Sequence, residues 1–349
     1  MTKNHSITQR KQDHIDFLLS DPLIERNQRD FDLIQLTHRA LPELDFASVN
    51  SKLSLFSKTL DFPLLISSMT GGAAENLGQI NRHLAEAAEH CQVALAVGSQ
   101  RAMIEDTSAR RSFDLRQYAP SIPLLANIGA VQLNTGYGFE QARIAIDCLQ
   151  ADALILHLNP LQELIQPEGD RNFAGLADKI HQLSQKLDIP IILKEVGCGL
   201  SSADIELGLS AGIRYFDLAG RGGTSWSRIE AHRAESDLGL VFQDWGLTTC
   251  QALNAARPYQ DQARFFASGG IRNGIDMVKS VIMGGYVCGI AAPLLRPAML
   301  SSSAVIDKIQ HLKQEFQLAQ FLVGAANIES LFLNDALILR APSGRQVYS

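Results

Sequence analysis

The sequence predicts an α/β protein of the (β/α)8 TIM-barrel class. Three observations carry that prediction: eight short apolar runs recur along the chain, amphipathic stretches separate them, and the last two runs end in turns of glycine and other small residues. The runs are FPLLISSM (62–69), QVALAVG (92–98), IPLLANIG (122–129), ALILHL (153–158), IPIILKEVG (189–197), IRYFDLAG (213–220), RFFASGG (264–270) and YVCGIAA (286–292). Most are apolar without strict alternation, the pattern of strands buried on both faces. Between them, stretches such as NLGQINRHLAEAAEHC and FAGLADKIHQLSQKL repeat apolar residues at helical spacing. Strand, helix, strand, repeated eight times, predicts a closed parallel barrel; an open doubly wound sheet is the alternative.

The chain of 349 residues reads as a single domain over 1–349: an N-terminal extension over 1–60, a barrel over 61–300 and a C-terminal helical segment over 301–349, with helix over 303–322. The gap between the sixth and seventh runs, 220–263, is the longest internal one. Loops at the C-terminal ends of barrel strands carry chemistry, so this insert is a candidate lid.

With 46% hydrophobic and 19% charged residues, the chain can bury a large core without disulfide or metal staples. A formal net charge of −6 argues against nucleic acid or an anionic membrane as the main partner, while leaving room for a local basic pocket. The five cysteines are odd in number and none forms a CxxC pair, which disfavours a disulfide framework or a zinc site and fits a reducing, cytoplasmic setting. The opening MTKNHSITQRKQDH lacks the apolar core of a signal peptide, and no window of 18 apolar residues predicts a membrane span.

In such a barrel, functional side chains gather where the strands end. The first run ends in Ser68-Met69-Thr70, the second in Ser99-Gln100-Arg101, the third in Asn127-Ile128-Gly129. The fourth ends in His157-Leu158-Asn159-Pro160, followed by Gln162 and Glu163; the fifth ends in Lys194-Glu195. Gly220-Arg221-Gly222-Gly223-Thr224 follows the sixth, Gly269-Gly270-Ile271-Arg272 the seventh, and Ala291-Ala292 the eighth. A glycine pair after strand seven lets backbone N–H groups approach an anion, and the loops after strands seven and eight bind phosphate in many barrels. The same glycines also read as tight turns alone. Lys194, inside an apolar strand, has two readings: a stem whose head reaches solvent, or a cation facing a bound anion such as the N1–C2=O edge of a reduced flavin. His157, Asn159, Gln162 and Glu163 form a polar group after one buried strand, and Glu163 is a candidate Mg²⁺ ligand alongside substrate phosphates. Arg10 and Lys11 read as a basic pair, and Trp226 either walls off a pocket or packs under its loop.

RKQDH, SSMTGG, AVGSQR, NIGA, LHLNPLQE, KEVGCGLS, GRGGTSW and ASGGIRNG occur in this order. As an ordered set they resemble the type 2 isopentenyl-diphosphate isomerases, flavoproteins of isoprenoid biosynthesis. The resemblance implies FMN in the barrel mouth, bordered by Ser68, Met69, Thr70, Ser99 and Asn127. It implies that Lys194 faces the isoalloxazine ring, that Thr224 contacts the cofactor, and that Gly269, Gly270, Ile271, Ala291 and Ala292 hold its phosphate. It further implies that Arg10, Lys11, Ser99, Gln100 and Arg101 bind a prenyl diphosphate, that His157, Asn159, Gln162 and Lys194 form the catalytic group with Gln162 also touching substrate, and that Glu163 holds Mg²⁺. NADPH would serve to reduce the flavin, and a homo-oligomer is expected. Two places depart from the family pattern: Ala219 stands where a small polar residue is common, and Ala291-Ala292 where Ala-Gly is expected. A methyl group fits the latter turn where φ is negative.

Two other functions compete. An FMN-dependent 2-hydroxy acid oxidase or dehydrogenase shares such a barrel but uses a His-Gly-x-Arg type group near strand six or seven, where this chain has Gly220-Arg221-Gly222-Gly223-Thr224 and no histidine. A non-catalytic flavin- or phosphate-binding barrel is the other, since fold alone does not specify function.

Overall fold

The structure, a computed structural model, describes residues 7–26, 30–69 and 75–339. Each predicted apolar run supplies one strand: β1 (Leu64–Ile66), β2 (Ala94–Ala96), β3 (Leu124–Gly129), β4 (Ala153–Leu158), β5 (Ile191–Glu195), β6 (Tyr215–Asp217), β7 (Arg264–Ser268) and β8 (Gly285–Ile290). All eight pair in parallel in chain order, and β8 returns to β1, so the barrel is closed and the open sheet is excluded. Most strands are shorter than their apolar runs, which extend into the flanking loops, while β4 coincides with its run.

Two apolar layers hold the barrel. Inside it, Leu65, Ala94, Leu125, Ile155, Ile192, Phe266 and Val287 pack together. The hairpin Leu53–Leu55 with Lys58–Leu60 adds Leu53, Leu55 and Leu60 to that inner layer. Outside, the other strand faces meet the helices through residues such as Leu64, Leu95, Leu154, Leu193, Phe216 and Phe265. Burying alternate residues on both faces explains why the runs are apolar throughout. Gln35–Leu36 pairs antiparallel with Ile338–Leu339, tying the N-terminal segment to the C-terminal one.

Three helices outside the repeat matter for the site. Helix α1 (Ile7–Ser20) packs against α2 (Trp226–Ala234), which belongs to the long insert. Asp21, just past α1, pins this contact by accepting from Arg228 Nε at 2.6 Å and pairing with His232 Nε2 at 2.7 Å. Helix α3 (Ser302–Leu322) packs on the barrel exterior against Glu75–Cys91 and Gly274–Ile282. Among the described residues, no helix is long and apolar enough to cross a membrane.

Candidate active site

The C-terminal ends of the strands, α1 and α2 border a solvent-open cavity whose empty space, adjoining solvent included, is about 1590 Å³. It is lined by Ser68, Met69, Ser99, Arg101, Asn127, His157, Asn159, Gln162, Glu163, Lys194, Thr224, Gly269, Gly270, Ile271, Ala291 and Ala292, together with Arg10 and Lys11 from α1. One element thus reaches over the mouth to join residues set by the strands. Thr70 lies outside the described residues.

Gln100 is the exception. Its side chain is fully buried, donates to the Ala145 carbonyl at 2.9 Å and accepts from the Asn127 amide at 2.9 Å. It points into the wall, because those backbone groups need a partner. The expectation that Gln100 binds substrate is corrected accordingly: it braces Asn127 from behind.

Parallel pairing sets His157, Lys194 and Asp217 side by side on β4, β5 and β6. Lys194 does not reach solvent: it is 6% exposed, and its Nζ lies 2.7 Å from Asp217 Oδ2 and 3.3 Å from Ser268 Oγ. The contact with Oδ2 is an ion pair by distance, not a directed hydrogen bond. Asp217 also accepts from the Ser268 hydroxyl. The next residue, Glu195, turns away and accepts backbone N–H bonds from Val196 and Gly197, each at 2.6 Å, and from Cys198. Burial pushes its carboxyl up to about 7 against the pull of those amides.

His157 Nδ1 lies 2.7 Å from Asn127 Oδ1. The Asn127 Nδ2 donates to the Val97 carbonyl at 3.1 Å and to Ser68 Oγ at 2.8 Å, so its oxygen faces the imidazole. In the neutral ring Nδ1 therefore carries the proton and Nε2 the lone pair. Desolvation, reinforced by Lys11, Lys194 and Arg10, pushes the imidazole down to about 3, so it is neutral near pH 7.

Beyond β4, Pro160–Ile165 forms one short helix that brings Gln162 and Glu163 beside Asn159. Asn159 Nδ2 donates to Glu163 Oε1 at 2.9 Å and to Gln162 Oε1 at 3.1 Å, and its own Oδ1 is buried without a partner. Gln162 Nε2 donates to Glu230 Oε1 at 2.8 Å. Glu230, from α2, is fully buried and also receives Arg233 at 2.5 Å and His14 of α1 at 3.1 Å. Burial pushes its carboxyl up, but His14, Arg233 and Gln162 outweigh this and hold it at about 2. Trp226 walls the cavity and meets His14 edge-on at 5.1 Å. Glu163 accepts from the Asp170 amide at 2.7 Å and Gln166 Nε2 at 3.2 Å, and burial raises its carboxyl. Among the described residues no three His, Cys, Asp or Glu side chains cluster as a metal cage, and both Glu163 oxygens already accept hydrogen bonds.

The cations differ in their pairing. Arg101 is tied to Glu105 at 2.7 Å and Asp170 at 3.2 Å. Arg10 lies 3.9 Å from Glu168, and its buried Nε has no partner. Lys11 has no ion pair among the described residues; desolvation, with Arg10 adding and Glu230 opposing, pushes its ammonium down to about 8. Two cations thus stand side by side at this corner of the cavity, with the carboxylates of Glu168 and Glu230 as their acidic neighbours.

At the other end, Gly269 and Gly270 hold φ of 98° and 79°. A Cβ on Gly269 would sit 2.0 Å from the Gly220 carbonyl oxygen, and one on Gly270 2.8 Å from the Gly222 backbone, so only glycine fits. The amides of Gly269, Gly270 and Ile271 donate to no acceptor among the described residues. Helix Ala292–Leu300 begins beside them with no side-chain cap, and Ala292, at the position where glycine was expected, is its first residue, a helical conformation that accommodates a methyl. Free amides and a helix N-terminus suit a phosphate monoester. Arg272 pairs with Glu25 at 2.8 Å, and the Thr224 hydroxyl donates to the same carboxylate. Ala219, which borders the cavity, has φ 39°, a left-handed conformation costly for a residue with a Cβ.

Sequence reasoning missed Asp217, Glu230, His14 and Glu25. Asp217 had a signal: it is an acid inside a buried strand, as Lys194 is a base inside one. His14 closes the RKQDH motif but was given no role there, and Glu25 and Glu230 come from segments whose fold over the mouth left no local mark.

Comparison with known proteins agrees with this geometry. The family model described as FMN-dependent dehydrogenase matches residues 157–338. The flavin-binding domain of baker's yeast flavocytochrome b2 superposes with a TM-score of 0.67 at 16% identity, covering 91% of this chain and 79% of that one, a likeness of fold. A protein of Paracoccus zeaxanthinifaciens named isopentenyl-diphosphate delta-isomerase is 56% identical over 97% of this chain and 99% of its own. One of the same name from Hydrogenovibrio crunogenus is 66% identical over 95% of this chain and 98% of its own. With a closed eight-stranded barrel, the FMN-dependent dehydrogenase model over residues 157–338 and identity of this extent over nearly the whole of both chains, the chain belongs to the isopentenyl-diphosphate delta-isomerase family of enzymes.

Proposed function

We propose that the chain interconverts isopentenyl and dimethylallyl diphosphate on reduced FMN, moving a double bond with no net redox change. The observation that carries this reading is one cavity with a glycine cradle of free backbone amides at one end and, at the other, Arg10, whose buried Nε has no partner, beside Lys11. Gly269, Gly270, Ile271, Ala291 and Ala292 hold the FMN phosphate, Thr224 contacts the cofactor, and Ser68, Met69, Thr70, Ser99 and Asn127 border the ring. Lys194 stands against the ring edge. Arg10, Lys11, Ser99 and Arg101 take the substrate diphosphate, with Mg²⁺ on Glu163 completing the charge balance. On this reading the N-terminal segment is part of the substrate site, and the 220–263 insert acts as its lid.

Reduced FMN, when bound, supplies a donor and acceptor of a proton at carbon, and NADPH serves only to reduce it. The chain's own groups position and shield. Gln162, clamped by Glu230 and Asn159, presents a fixed amide beside the hydrocarbon tail. His157, neutral and held by Asn127, offers the lone pair of Nε2 and adds no charge. Trp226 and Ile229 exclude water from the pocket. Self-association into a homo-oligomer belongs to the same reading, supported by the exposed Leu238, Val241 and Trp245 of the insert.

The test is an anaerobic assay on purified protein whose flavin absorption is followed as NADPH is added. The expected result is bleaching of the oxidised spectrum, then isomerisation at many turnovers per NADPH. Isomerisation that proceeds equally with oxidised flavin overturns the mechanism, and hydrogen peroxide formed with lactate or glycolate would favour an oxidase.

A further inference from the structure

We propose that Asp217 is a positioning residue that holds the Lys194 ammonium against the ring of a bound flavin, and that Ser268 in turn holds Asp217. The inference rests on the flavin reading given above.

Three adjacent strands supply the triad. Lys194 and Asp217 are register partners on β5 and β6, and Ser268 ends β7. Asp217 is 0% exposed, Ser268 4% and Lys194 6%. Lys194 and Ser268 line the cavity, whereas Asp217 does not. The carboxylate therefore cannot touch a ligand; it acts only through its two neighbours or through its field.

One oxygen of Asp217 takes the Ser268 hydroxyl, which fixes the carboxylate's orientation. The other lies 2.7 Å from Nζ, outside hydrogen-bond angles, and the contact of Nζ with Ser268 Oγ is long at 3.3 Å. Asp217 thus anchors the charge by Coulomb attraction without consuming the ammonium's hydrogens, which leaves donors free for an acceptor in the cavity. Asp217 is also the sole carboxylate within 4.0 Å of Nζ among the described residues. Without it the ammonium is a buried, unmatched charge with no reason to stay at the ring edge.

The midpoint potential of bound FMN separates positioning from direct field by sign. The reduced ring carries negative charge at its N1–C2=O edge, so a cation there raises the potential and a bare carboxylate lowers it. If Asp217 acted only through its own field, Asp217→Asn would raise the potential. Positioning predicts the opposite: Asp217→Asn lowers it toward the value of Lys194→Met, by about 30 mV or more, a tenfold change for a two-electron couple. In the double variant, Asp217→Asn then adds nothing to Lys194→Met. Ser268→Ala, a milder change that keeps the protein measurable if Asp217→Asn does not fold, shifts the potential in the same direction by less. A raised potential in either variant, or strict additivity in the double, overturns the positioning role while leaving the flavin reading intact. Wild-type protein that binds no FMN overturns the flavin reading itself and the proposal with it.

Discussion

The cavity carries two kinds of cation, and they are built in opposite ways. Lys194 stands on a barrel strand, with its counter-ion on the neighbouring strand and a hydroxyl from the next one fixing that counter-ion. Arg10 and Lys11 stand on α1, a helix carried over the mouth by its contacts with α2; Arg10 has a buried Nε without a partner, and Lys11 has no ion pair among the described residues. A cation with its counter-ion in place is complete before any ligand arrives. Arg10 and Lys11, with Glu168 3.9 Å from one and no ion pair on the other among the described residues, keep positive charge that an added anion could match. The strand-borne site is therefore suited to tuning something that stays bound, and the helix-borne site to capturing something that comes and goes.

The largest expected effect tests the first half of this contrast. Asp217→Ala strands a buried ammonium and should cost about 3–5 kcal/mol of folding stability, read from denaturant unfolding. Arg10→Ala removes a cation whose nearest described carboxylate is 3.9 Å away, and should leave stability unchanged or slightly raised. Equal losses in the two variants would erase the distinction. The next effect concerns function. Arg10→Ala should raise KM for the diphosphate substrate by roughly 10–100-fold, the loss of one charge-assisted hydrogen bond, with kcat changed far less. A variant whose kcat falls while KM holds would place Arg10 in the chemistry instead of the capture.

How far these regions could be read from sequence follows the same division. The barrel was legible because each strand announces itself by a continuous apolar run: β1 to β7 fall within the predicted runs, and β8 starts one residue ahead of its run. Lys194 stood out because a base interrupts such a run, and Gly269-Gly270 because only glycine reaches φ of 98° and 79° beside another backbone. Asp217 broke its run just as visibly; only the pairing of β5 with β6 shows that the two charges meet. Gln100 was misread since a polar residue at a strand end looks the same whether it faces the cavity or ties down the Ala145 carbonyl. Glu230 and His14 were unreadable for a different reason. Their meeting joins residues 216 positions apart through the packing of α1 on α2, and neither helix carries a local sign of it.

The smallest effect is a pH dependence that belongs to Lys11 alone. Burial, with Arg10 adding to it and Glu230 opposing, lowers its ammonium from the ordinary 10.5 to about 8. Between pH 8 and 10.5 the unfolded chain holds a proton that the folded one has released, so the contribution of Lys11 to stability rises with pH across that window. Anion binding runs the other way. Below pH 8 the ammonium is already charged; above it, a diphosphate must draw a proton back onto Lys11, and affinity falls by up to tenfold per pH unit. Titration calorimetry with inorganic pyrophosphate, in two buffers of different ionisation enthalpy, measures that proton directly. At pH 9 the wild type should take up close to one proton more than Lys11→Met, and the two should converge near pH 7. Equal uptake at pH 9 would mean that Lys11 meets an acid in solution after all, and the contrast between the paired rim and the unpaired helix would then rest on Arg10 alone.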